Sequence, residues 1–333
     1  MAVLEITDLY TRFHTRHGVV RAVDGVSLSV DEGEVVGIVG ESGCGKTVLC
    51  QSIMALVPVP PGKLSCRKML FEGKPVPTDD ERAMRDIRGD RMTMVFQDPM
   101  TSLNPYMRIR DQLAEPLRIH RNMSAKDALP KLVEALRTVG ITNPESRVNE
   151  YPHQFSGGMR QRVCIAMALL TEPKLLFADE PTTALDVTVQ AQILALLREL
   201  RERYGIAVVF VTHDFGVVAG LCDRVMVMYA GRIVESGQTK ALFEEPFHPY
   251  TSALLEALPA RTGTGQQLRT IPGQPPDLVH PIEGCAFAPR CEYAADGCRS
   301  VEMKLAELTG GHCTACLRMQ KGEITPSTKR STC

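Results

Sequence analysis

One motif near the start of the chain constrains the fold more than any other feature. A fully apolar segment, 35–39, leads directly into Gly-Glu-Ser-Gly-Cys-Gly-Lys-Thr at 40–47, and a helix-capable segment, 48–56, follows. This order of strand, glycine-rich loop and helix is the context that a P-loop requires. Backbone amides in such a loop converge on phosphate oxygens, and the positive end of the helix faces the same anion. The sequence therefore predicts an α/β fold with a nucleotide-phosphate site.

The chemistry of this loop gives its residues expected roles. Lys46 would contact the β- and γ-phosphates, and the hydroxyl of Thr47 would bind magnesium. The thiol of Cys44 would make the loop sensitive to oxidation if it were exposed. The residues expected to bind the nucleotide here are Gly40, Ser42, Gly43, Cys44, Gly45, Lys46 and Thr47.

Two carboxylates follow a second apolar segment, 175–178. Asp179 and Glu180 would lie at the carboxyl end of a buried strand, where α/β sheets bind ligands. Asp179 suits a magnesium shell, and Glu180 would polarise or deprotonate the water that attacks the γ-phosphate. Alone, the pair would equally fit a solvated acidic loop. Its combination with the P-loop favours ATP hydrolysis.

Two polar residues follow other apolar strands. Gln97 comes after an apolar segment ending at Val95, and it could orient water or complete the metal shell. His213 follows the apolar segment 206–211, and it could donate a hydrogen bond to the γ-phosphate and so sense its presence. Neither residue is informative by itself, because lone histidines and glutamines usually have structural roles.

A second anion-binding device lies at 155–161, just before the apolar-periodic segment 163–170. Ser156 is an apt helix N-cap, and Gly157 and Gly158 let backbone amides approach an anion at a helix start. A chain with one P-loop has no evident need for a second phosphate device. The pattern therefore indicates that this segment acts on a nucleotide held by another subunit.

Together these motifs resemble those of the ATP-binding cassette (ABC) ATPases, whose Walker A, Q-loop, signature, Walker B, D-loop and H-loop appear here in order. The resemblance implies an ABC ATPase core of the P-loop NTPase fold with an inserted helical subdomain. It also implies that two cassettes pack head to tail. Each ATP would then lie between Lys46 and Thr47 of one cassette and Ser156 and Gly158 of the other.

The resemblance extends to two further places. The D-loop at 184–186 would cross between the two ATP sites and carries Asp186. The aromatic residue that stacks on adenine would lie near the N-terminus, before the second strand. Phe13 is the first candidate and His17 the alternative, and a core role for Phe13 stays open.

Two segments resemble the ATPases of oligopeptide and dipeptide importers in particular. They are Glu-Pro-Phe-His-Pro-Tyr-Thr at 245–251 and Asp-Pro-Met-Thr-Ser-Leu-Asn-Pro at 98–105. The resemblance implies that the chain binds and hydrolyses ATP to energise peptide uptake. The implied domains are a nucleotide-binding core at 1–97 and 161–240, a helical subdomain with the signature at 98–160, and a C-terminal extension at 241–333.

The extension contains cysteines in a stretch with little periodicity and a poor core, which metal ligation could stabilise. Cysteine tetrads in this place occur in peptide importer ATPases, and in part of that group the resemblance implies a 4Fe-4S cluster. The expected ligands are Cys285, Cys291, Cys298 and Cys316, with Cys313 as a substitute. A four-cysteine zinc site is less favoured, because only Cys313 and Cys316 form a Cys-x-x-Cys pair. Free thiols stay open as a third reading.

Composition and segment lengths limit the classes of partner and the cellular location that we expect for the chain. The chain has 38 basic and 39 acidic residues, a formal charge of −1, which gives no electrostatic case for nucleic acid. No stretch approaches the roughly 18 apolar residues of a membrane span, and the N-terminus lacks the order of a signal peptide. We therefore expect a cytosolic chain.

An ATPase of this kind must deliver work to other proteins. The resemblance implies two transmembrane permease subunits, a second and related ABC ATPase, and an extracytoplasmic solute-binding protein. The chain would then be bound peripherally at the cytoplasmic face of the inner membrane. Magnesium and ATP are the cofactors that the motifs require.

Other functions stay open at this point. The cargo could be a glutathione-like peptide, nickel or an opine. A non-transport ABC ATPase would use the same chemistry but would usually show a long coiled-coil insertion or a second cassette. A P-loop kinase would leave the segment at 156–158 unexplained.

Overall fold

The computed structural model describes residues 1–183, 185–258 and 270–325. The chain divides into two compact units. The first unit comprises Met1–Val3, Val30–Glu34 and Phe71–Val211; the second comprises Leu4–Ser29, Val35–Leu70 and the chain from Thr212 onward. Across the described ranges, no helix has both the length and the apolarity needed to cross a membrane.

Within the described residues, the strands are β1 (Ala2–Thr15), β2 (Gly18–Asp31), β3 (Val35–Val39), β4 (Gly62–Ser65), β5 (Lys68–Phe71), β6 (Lys74–Pro75), β7 (Met92–Val95), β8 (Leu175–Asp179), β9 (Ala207–Thr212), β10 (Arg224–Tyr229), β11 (Arg232–Gln238), β12 (Ala306–Thr309) and β13 (His312–Thr314). The helices are α1 (Lys46–Ile53), α2 (Glu81–Ile87), α3 (Pro99–Ser102), α4 (Ile109–Arg121), α5 (Ala125–Thr138), α6 (Pro144–Arg147), α7 (Gly157–Leu169), α8 (Val187–Tyr204), α9 (Phe215–Leu221), α10 (Thr239–Glu244), α11 (Pro249–Glu256), α12 (Gly297–Ser300) and α13 (Leu317–Gln320).

Three parallel strands form the sheet of the first unit. β8 lies between β7 and β9, with Leu175 opposite Met92 on one side and Ala207 on the other. Every residue of β8 and β9 is buried. Their near-continuous apolar sequences fit this position, because parallel strands are normally covered on both faces. The carboxyl ends of β7 and β8 consequently bring the segments after Val95 and after Ala178 to one edge of the sheet.

Helices α3 to α7 occupy the chain between β7 and β8. α4, α5 and α7 pack against one another. The sequence of α5 accounts for this packing, since Ala128, Leu132 and Leu136 recur every four residues and all three are buried. The side chain of Ser124 caps the same helix by accepting a hydrogen bond from the backbone N–H of Asp127.

The second unit is built on strands that carry the glycine-rich loop and the C-terminal extension. β3 pairs in parallel with β10, and β10 pairs antiparallel with β11. β11 pairs with β13, which in turn pairs with β12. The extension therefore adds β12 and β13 to the sheet that contains β3, the strand that leads into the glycine-rich loop. A smaller sheet has the order β2-β1-β5, with β4 also paired to β1.

A buried carboxylate ties the extension to this sheet. Glu235 in β11 is 0% exposed and accepts hydrogen bonds from the backbone N–H groups of Phe247 and His248, at 2.6 and 2.9 Å. Its Oε1 also lies 2.7 Å from Nε2 of His312 in β13. One carboxylate thus satisfies three polar groups that would otherwise be buried without partners, which would be costly.

His248 itself caps α11, and we expect it to make the protein sensitive to acid. Its Nδ1 accepts a hydrogen bond from the backbone N–H of Tyr250 at 3.1 Å. Burial lowers the pKa of His248 to about 3, whereas an unfolded histidine has a pKa of about 6.5. The unfolded state therefore binds the proton more readily between these values, and stability is lost as the pH falls below about 6.5.

The variant His248→Asn tests this expectation, because asparagine keeps a side-chain acceptor at the N-cap but does not titrate. Between about pH 7.5 and about pH 5.5, the wild-type free energy of unfolding should fall by about 1.4 kcal/mol more than that of the variant. Chemical denaturation at the two pH values measures the difference. Parallel pH dependences for the two proteins would show that His248 is not the titrating group.

Candidate active site

The glycine-rich loop of the second unit joins β3 to α1. All five residues of β3 are buried, so the strand fixes the start of the loop. Lys46, the first residue of α1, is 4% exposed, and its Nζ donates hydrogen bonds to the carbonyl oxygens of Gly40 and Glu41 at 2.8 and 3.1 Å. The loop therefore wraps around the lysine that the sequence predicts to contact phosphate.

Only glycine fits at the end of this loop. Gly45 has φ +108°, and a Cβ there would lie 2.2 Å from the carbonyl oxygen of Ala22. A side chain would both strain the backbone and collide with it. Ser42 and Gly43 are exposed, and Thr47 is half-buried. The tight turn at Gly45 therefore joins an exposed part of the loop directly to the N-terminal end of α1.

Cys44 lies inside the loop and is 6% exposed. Burial raises the pKa of its thiol, which keeps the thiol protonated and poorly nucleophilic. The sequence predicts an oxidation-sensitive loop only if this thiol is exposed. Because the thiol is buried, that prediction does not apply.

The two carboxylates of the first unit lie at the carboxyl end of β8. Asp179 and Glu180 are 1% and 8% exposed. Oε2 of Glu180 accepts hydrogen bonds from Nε2 of Gln97 at 3.2 Å and from the hydroxyl of Thr183 at 2.9 Å. The structure thus brings together Gln97 and Glu180, which are 83 residues apart. Two donors on one oxygen restrict the direction of the carboxylate.

The signature segment of the same unit begins α7. Ser156 caps the helix by accepting a hydrogen bond from the backbone N–H of Met159 at 3.3 Å. Gly158 packs closely against α8, since a Cβ there would lie 2.6 Å from a methyl group of Val189. Asp186 caps α8 by accepting from the backbone N–H of Val189 at 2.9 Å. Of the predicted D-loop, Ala184 lies outside the described residues.

Phe13, His17 and His213 are the remaining residues that the sequence predicts to contact the nucleotide. Phe13 in β1 is half-buried and lies opposite Gly62 of β4. His17 is exposed in the turn between β1 and β2. His213 is exposed in the short connection between β9 and α9. The adenine-stacking role of Phe13 or His17 stays a prediction.

Sequence reasoning missed the residues of the extension that contact the glycine-rich loop. The hydroxyl of Tyr250 accepts a hydrogen bond from the backbone N–H of Glu41 at 2.9 Å. The guanidinium of Arg290 binds the side chain of Glu41 through two hydrogen bonds, at 2.7 and 2.9 Å. The His-Pro-Tyr-Thr segment was a usable signal for Tyr250, but no pattern near Arg290 indicated its partner.

The four cysteines proposed as ligands line one small pocket in the extension. They are Cys285, Cys291, Cys298 and Cys316. Burial raises the pKa of Cys285 to about 11 and that of Cys291 to about 12, and the thiol of Cys316 is shifted in the same direction. Cys313 is not among the residues that line the pocket.

Among the described residues, no group of three or more His, Cys, Asp or Glu side chains has the geometry to hold a metal ion. The cluster and zinc readings therefore receive no support from metal-site geometry. What the structure supplies is four neighbouring thiols around one pocket.

Comparison with known proteins decides the family. Residues 23–183 match the model of the ABC transporter family. Residues 234–298 match the oligopeptide/dipeptide transporter C-terminal region. The chain belongs to the ABC transporter family. The resemblance drawn from the motifs is thereby confirmed, including its oligopeptide and dipeptide branch.

Relatives match this ABC protein along most of its length. A probable peptide ABC transporter ATP-binding protein, y4tR of Sinorhizobium fredii, is 51% identical over 95% of both chains. The oligopeptide transport ATP-binding protein OppD of Bacillus subtilis is 52% identical, covering 88% of this chain and 82% of OppD. The dipeptide transport ATP-binding protein DppD of the same organism is 50% identical, covering 87% of this chain and 86% of DppD.

Solved structures confirm the ABC ATPase fold with its P-loop. The dimeric, post-hydrolysis ATP-binding cassette MJ0796 bound to ADP and Pi has a TM-score of 0.63 and 28% identity, covering 71% of this chain and 98% of its own. CbiO1 of Clostridium perfringens, part of the ABC transporter complex cbiONQ, has a TM-score of 0.61 and 29% identity, covering 73% of this chain and 90% of its own. This ABC protein is therefore an ATPase of the cassette type.

Proposed function

We propose that this chain binds and hydrolyses ATP to energise the import of dipeptides or oligopeptides through membrane permease subunits. One observation carries the proposal: a single chain joins the ABC transporter segment to the oligopeptide/dipeptide transporter C-terminal region. Relatives that match it over at least 87% of its length are named for peptide, oligopeptide and dipeptide transport. These names favour a peptide cargo over nickel or an opine.

In the proposed reaction, the triphosphate lies on the glycine-rich loop and Lys46 neutralises its charge. Glu180 acts as the general base for the attacking water, an effect typically worth about 10²- to 10⁴-fold. Gln97 donates a hydrogen bond to Oε2 of Glu180, so it positions the base. His213 would donate a hydrogen bond to the γ-phosphate. Hydrolysis of this kind depends on positioning and charge stabilisation more than on covalent chemistry.

The proposed magnesium ligands fit the ion chemically. Thr47, Asp179 and Gln97 offer a hydroxyl, a carboxylate and an amide oxygen, and magnesium prefers oxygen ligands. Asp179 is 1% exposed at the end of β8, a position at which α/β proteins bind ligands. When bound with ATP, magnesium supplies positive charge to the β- and γ-phosphate oxygens.

A second cassette completes the proposed site. Ser156, Gly157 and Gly158 would contact the ATP held by the partner cassette, and Asp186 would lie between the two sites. Ser156 caps α7, and the proposal is supported by the tendency of helix starts to bind anions. The comparison structure MJ0796 is described as dimeric, which supports this arrangement. We propose a related but different chain as the partner, and Phe13 as the residue that stacks on adenine.

The domains and the membrane partners complete the proposal. The core at 1–97 and 161–240 binds the nucleotide, and the segment 98–160 is the inserted helical subdomain; the chain from 241 to 333 is the importer-type extension. Two permease subunits would dock between the core and the helical subdomain near Gln97, and a solute-binding protein would deliver the cargo outside the membrane. The chain itself would lie peripherally at the cytoplasmic face of the inner membrane.

Affinity purification from detergent-solubilised membranes tests these partners. A tagged chain should recover two multispanning membrane proteins and a second ATP-binding cassette. The variant Glu202→Gln, an exposed substitution on α8, serves as a matched control and should recover the same set. Recovery of the tagged chain without any multispanning protein would contradict the proposed assembly.

We further propose that the pocket lined by Cys285, Cys291, Cys298 and Cys316 binds a 4Fe-4S cluster. Four cysteine thiolates are the usual donor set of such clusters. The pocket is otherwise lined mainly by apolar residues, such as Phe287 and Ala288, which would limit access of water. Because thiols must lose protons to bind iron, cluster binding would be coupled to proton release. No step of ATP hydrolysis needs this group, so its role would be structural or regulatory rather than catalytic.

Anaerobic purification tests the cluster directly. The wild-type chain should contain about four iron and four sulfide ions per chain, with the visible absorption of such a cluster. The Cys285→Ser variant should lose most of this iron. The control is Cys313→Ser, which should retain the iron because Cys313 does not line the pocket. Zinc without iron would support the zinc site instead, and metal-free protein would support free thiols.

A further inference from the structure

We propose that Arg290, in the C-terminal extension, is a positioning residue for the ATP site that acts through Glu41 of the glycine-rich loop. The inference rests on the proposed role of that loop in binding ATP. It gives the extension a direct effect on nucleotide affinity, in addition to any role in the transporter assembly.

The contact between the two residues is a two-pronged ion pair. Nη1 of Arg290 donates to Oε2 of Glu41 at 2.7 Å, and Nη2 donates to Oε1 at 2.9 Å. Paired hydrogen bonds of this kind fix the direction of both groups and are stronger than neutral ones. The two side chains are 5% and 26% exposed, so solvent screens the pair less than an ordinary surface ion pair.

The rest of the extension holds Arg290 in place. Its Nε donates to the carbonyl oxygen of Pro272 at 2.9 Å, and its Nη1 lies 3.2 Å from the hydroxyl of Tyr229. The guanidinium also lies over the rings of Tyr229 and Phe287, at 5.9 Å from each centroid. With these contacts on several sides, the arginine presents a fixed charge to Glu41.

Glu41 in turn connects the extension to the lysine of the loop. Its carbonyl oxygen accepts from Nζ of Lys46 at 3.1 Å and from the backbone N–H of Cys44 at 3.3 Å. Its own N–H donates to the hydroxyl of Tyr250 at 2.9 Å. The side chain and the backbone N–H of Glu41 are thus both held by residues of the extension, while its carbonyl contacts the loop.

Charge gives a second reason for the pair. Glu41 places a carboxylate in the loop that is proposed to receive a highly anionic triphosphate. If Arg290 were removed, a half-buried carboxylate would be left without its counter-charge, which is costly and would repel the phosphates. The same argument predicts that removing the charge of Glu41 should compensate for the loss of Arg290.

A double-mutant cycle on the purified full-length chain tests the proposal. The Kd of a fluorescent, slowly hydrolysed ATP analogue is measured for wild type, Arg290→Ala, Glu41→Gln and the double variant. Arg290→Ala should raise the Kd about tenfold, the size of a lost charge-assisted hydrogen bond. The double variant should recover most of this loss, because it removes the uncompensated carboxylate together with its counter-charge. In steady-state assays, the KM for ATP should rise with Arg290→Ala while kcat changes by less than about twofold.

Arg318→Ala is the matched control for the extension. Arg318 also pairs with a carboxylate there, with its Nε 3.0 Å from Oε2 of Glu323, and Nη1 donates to the carbonyl oxygen of Tyr293. This variant should leave the Kd unchanged. Arg290→Lys keeps the charge but not the fork, so it should raise the Kd by less than Arg290→Ala.

Four results separate the possible failures. A Kd for Arg290→Ala equal to that of Arg318→Ala would overturn the proposal and leave Arg290 with a structural role only. A double variant as weak as Arg290→Ala would also overturn it, because Arg290 would then act on ATP without Glu41. If Arg290→Ala does not fold, the comparison of Arg290→Lys with wild type decides, and an equal Kd overturns the proposal. Folded wild-type protein that does not bind ATP would instead refute the proposed function.

Discussion

Glu180→Gln is expected to lower the turnover number for ATP by at least about 100-fold, because an amide cannot accept a proton from the attacking water. Glutamine has nearly the same shape and can still accept the hydrogen bonds from Gln97 and Thr183 that hold the side chain. Glu180 is 8% exposed at the end of β8, so the substitution replaces a buried carboxylate and not a solvated one. ATP binding should persist, since the substitution removes no group from the glycine-rich loop.

Phosphate release at saturating ATP measures this effect, together with an independent Kd for the nucleotide. The control is Glu202→Gln, which removes an exposed carboxylate from α8 and should leave both quantities unchanged. Turnover by Glu180→Gln within a few-fold of wild type would mean that another group activates the water. Parallel loss of ATP binding would place Glu180 in nucleotide binding instead.

The second large effect is expected from Lys46→Ala, which should weaken ATP binding by about 100-fold, at the upper range for a lost hydrogen bond to a charged group. Lys46 is 4% exposed, and its Nζ lies at 2.8 Å from the carbonyl oxygen of Gly40. The substitution therefore removes a positive charge from the centre of the loop. It also leaves the carbonyl oxygens of Gly40 and Glu41 without the hydrogen bonds from Nζ.

Titration with a fluorescent ATP analogue measures the loss. Lys63→Ala is a suitable control, because Lys63 is an exposed lysine in β4 of the same unit. Its Kd should match wild type. If Lys46→Ala bound ATP as tightly as Lys63→Ala, the nucleotide would have to bind elsewhere than on the glycine-rich loop.

Local pattern in the sequence was sufficient for the strands that lead into the site. The apolar segment 35–39 is β3, and the segment before Asp179 is β8. Such buried parallel strands are short apolar runs that need no information from distant residues. The ABC ATPase fold was also predictable, because its motifs are short contiguous stretches of sequence.

Helix starts were less predictable from apolar periodicity. The periodic segment begins only at 163, whereas α7 begins at Gly157, directly after Ser156, the residue that the sequence predicted as its N-cap. The same holds for α1, which begins at Lys46 rather than at 48. The first turn of each helix is polar or glycine-rich because it serves a cap or an anion, so hydrophobic period does not detect it.

Long-range polar contacts were the part that sequence could not give. Arg290 and Glu41 are 249 residues apart, and His312 and Glu235 are 77 apart. Charged side chains in a loop-rich extension are usually solvated. Nothing in the sequence around Arg290 or His312 therefore indicates that either side chain contacts a distant carboxylate. Only the pairing of β13 with β11 explains why His312 reaches the buried carboxylate.

The most direct test of the account measures transport and hydrolysis in the same sample. Proteoliposomes would contain the permeases and the partner cassette with either wild-type chain or Glu180→Gln, and uptake of radiolabelled dipeptides and oligopeptides would be followed together with phosphate release. We predict peptide uptake that requires ATP on the side of the cassettes and that falls with phosphate release in the variant. Vigorous ATP hydrolysis without peptide uptake, or equal uptake by the two proteins, would contradict the account.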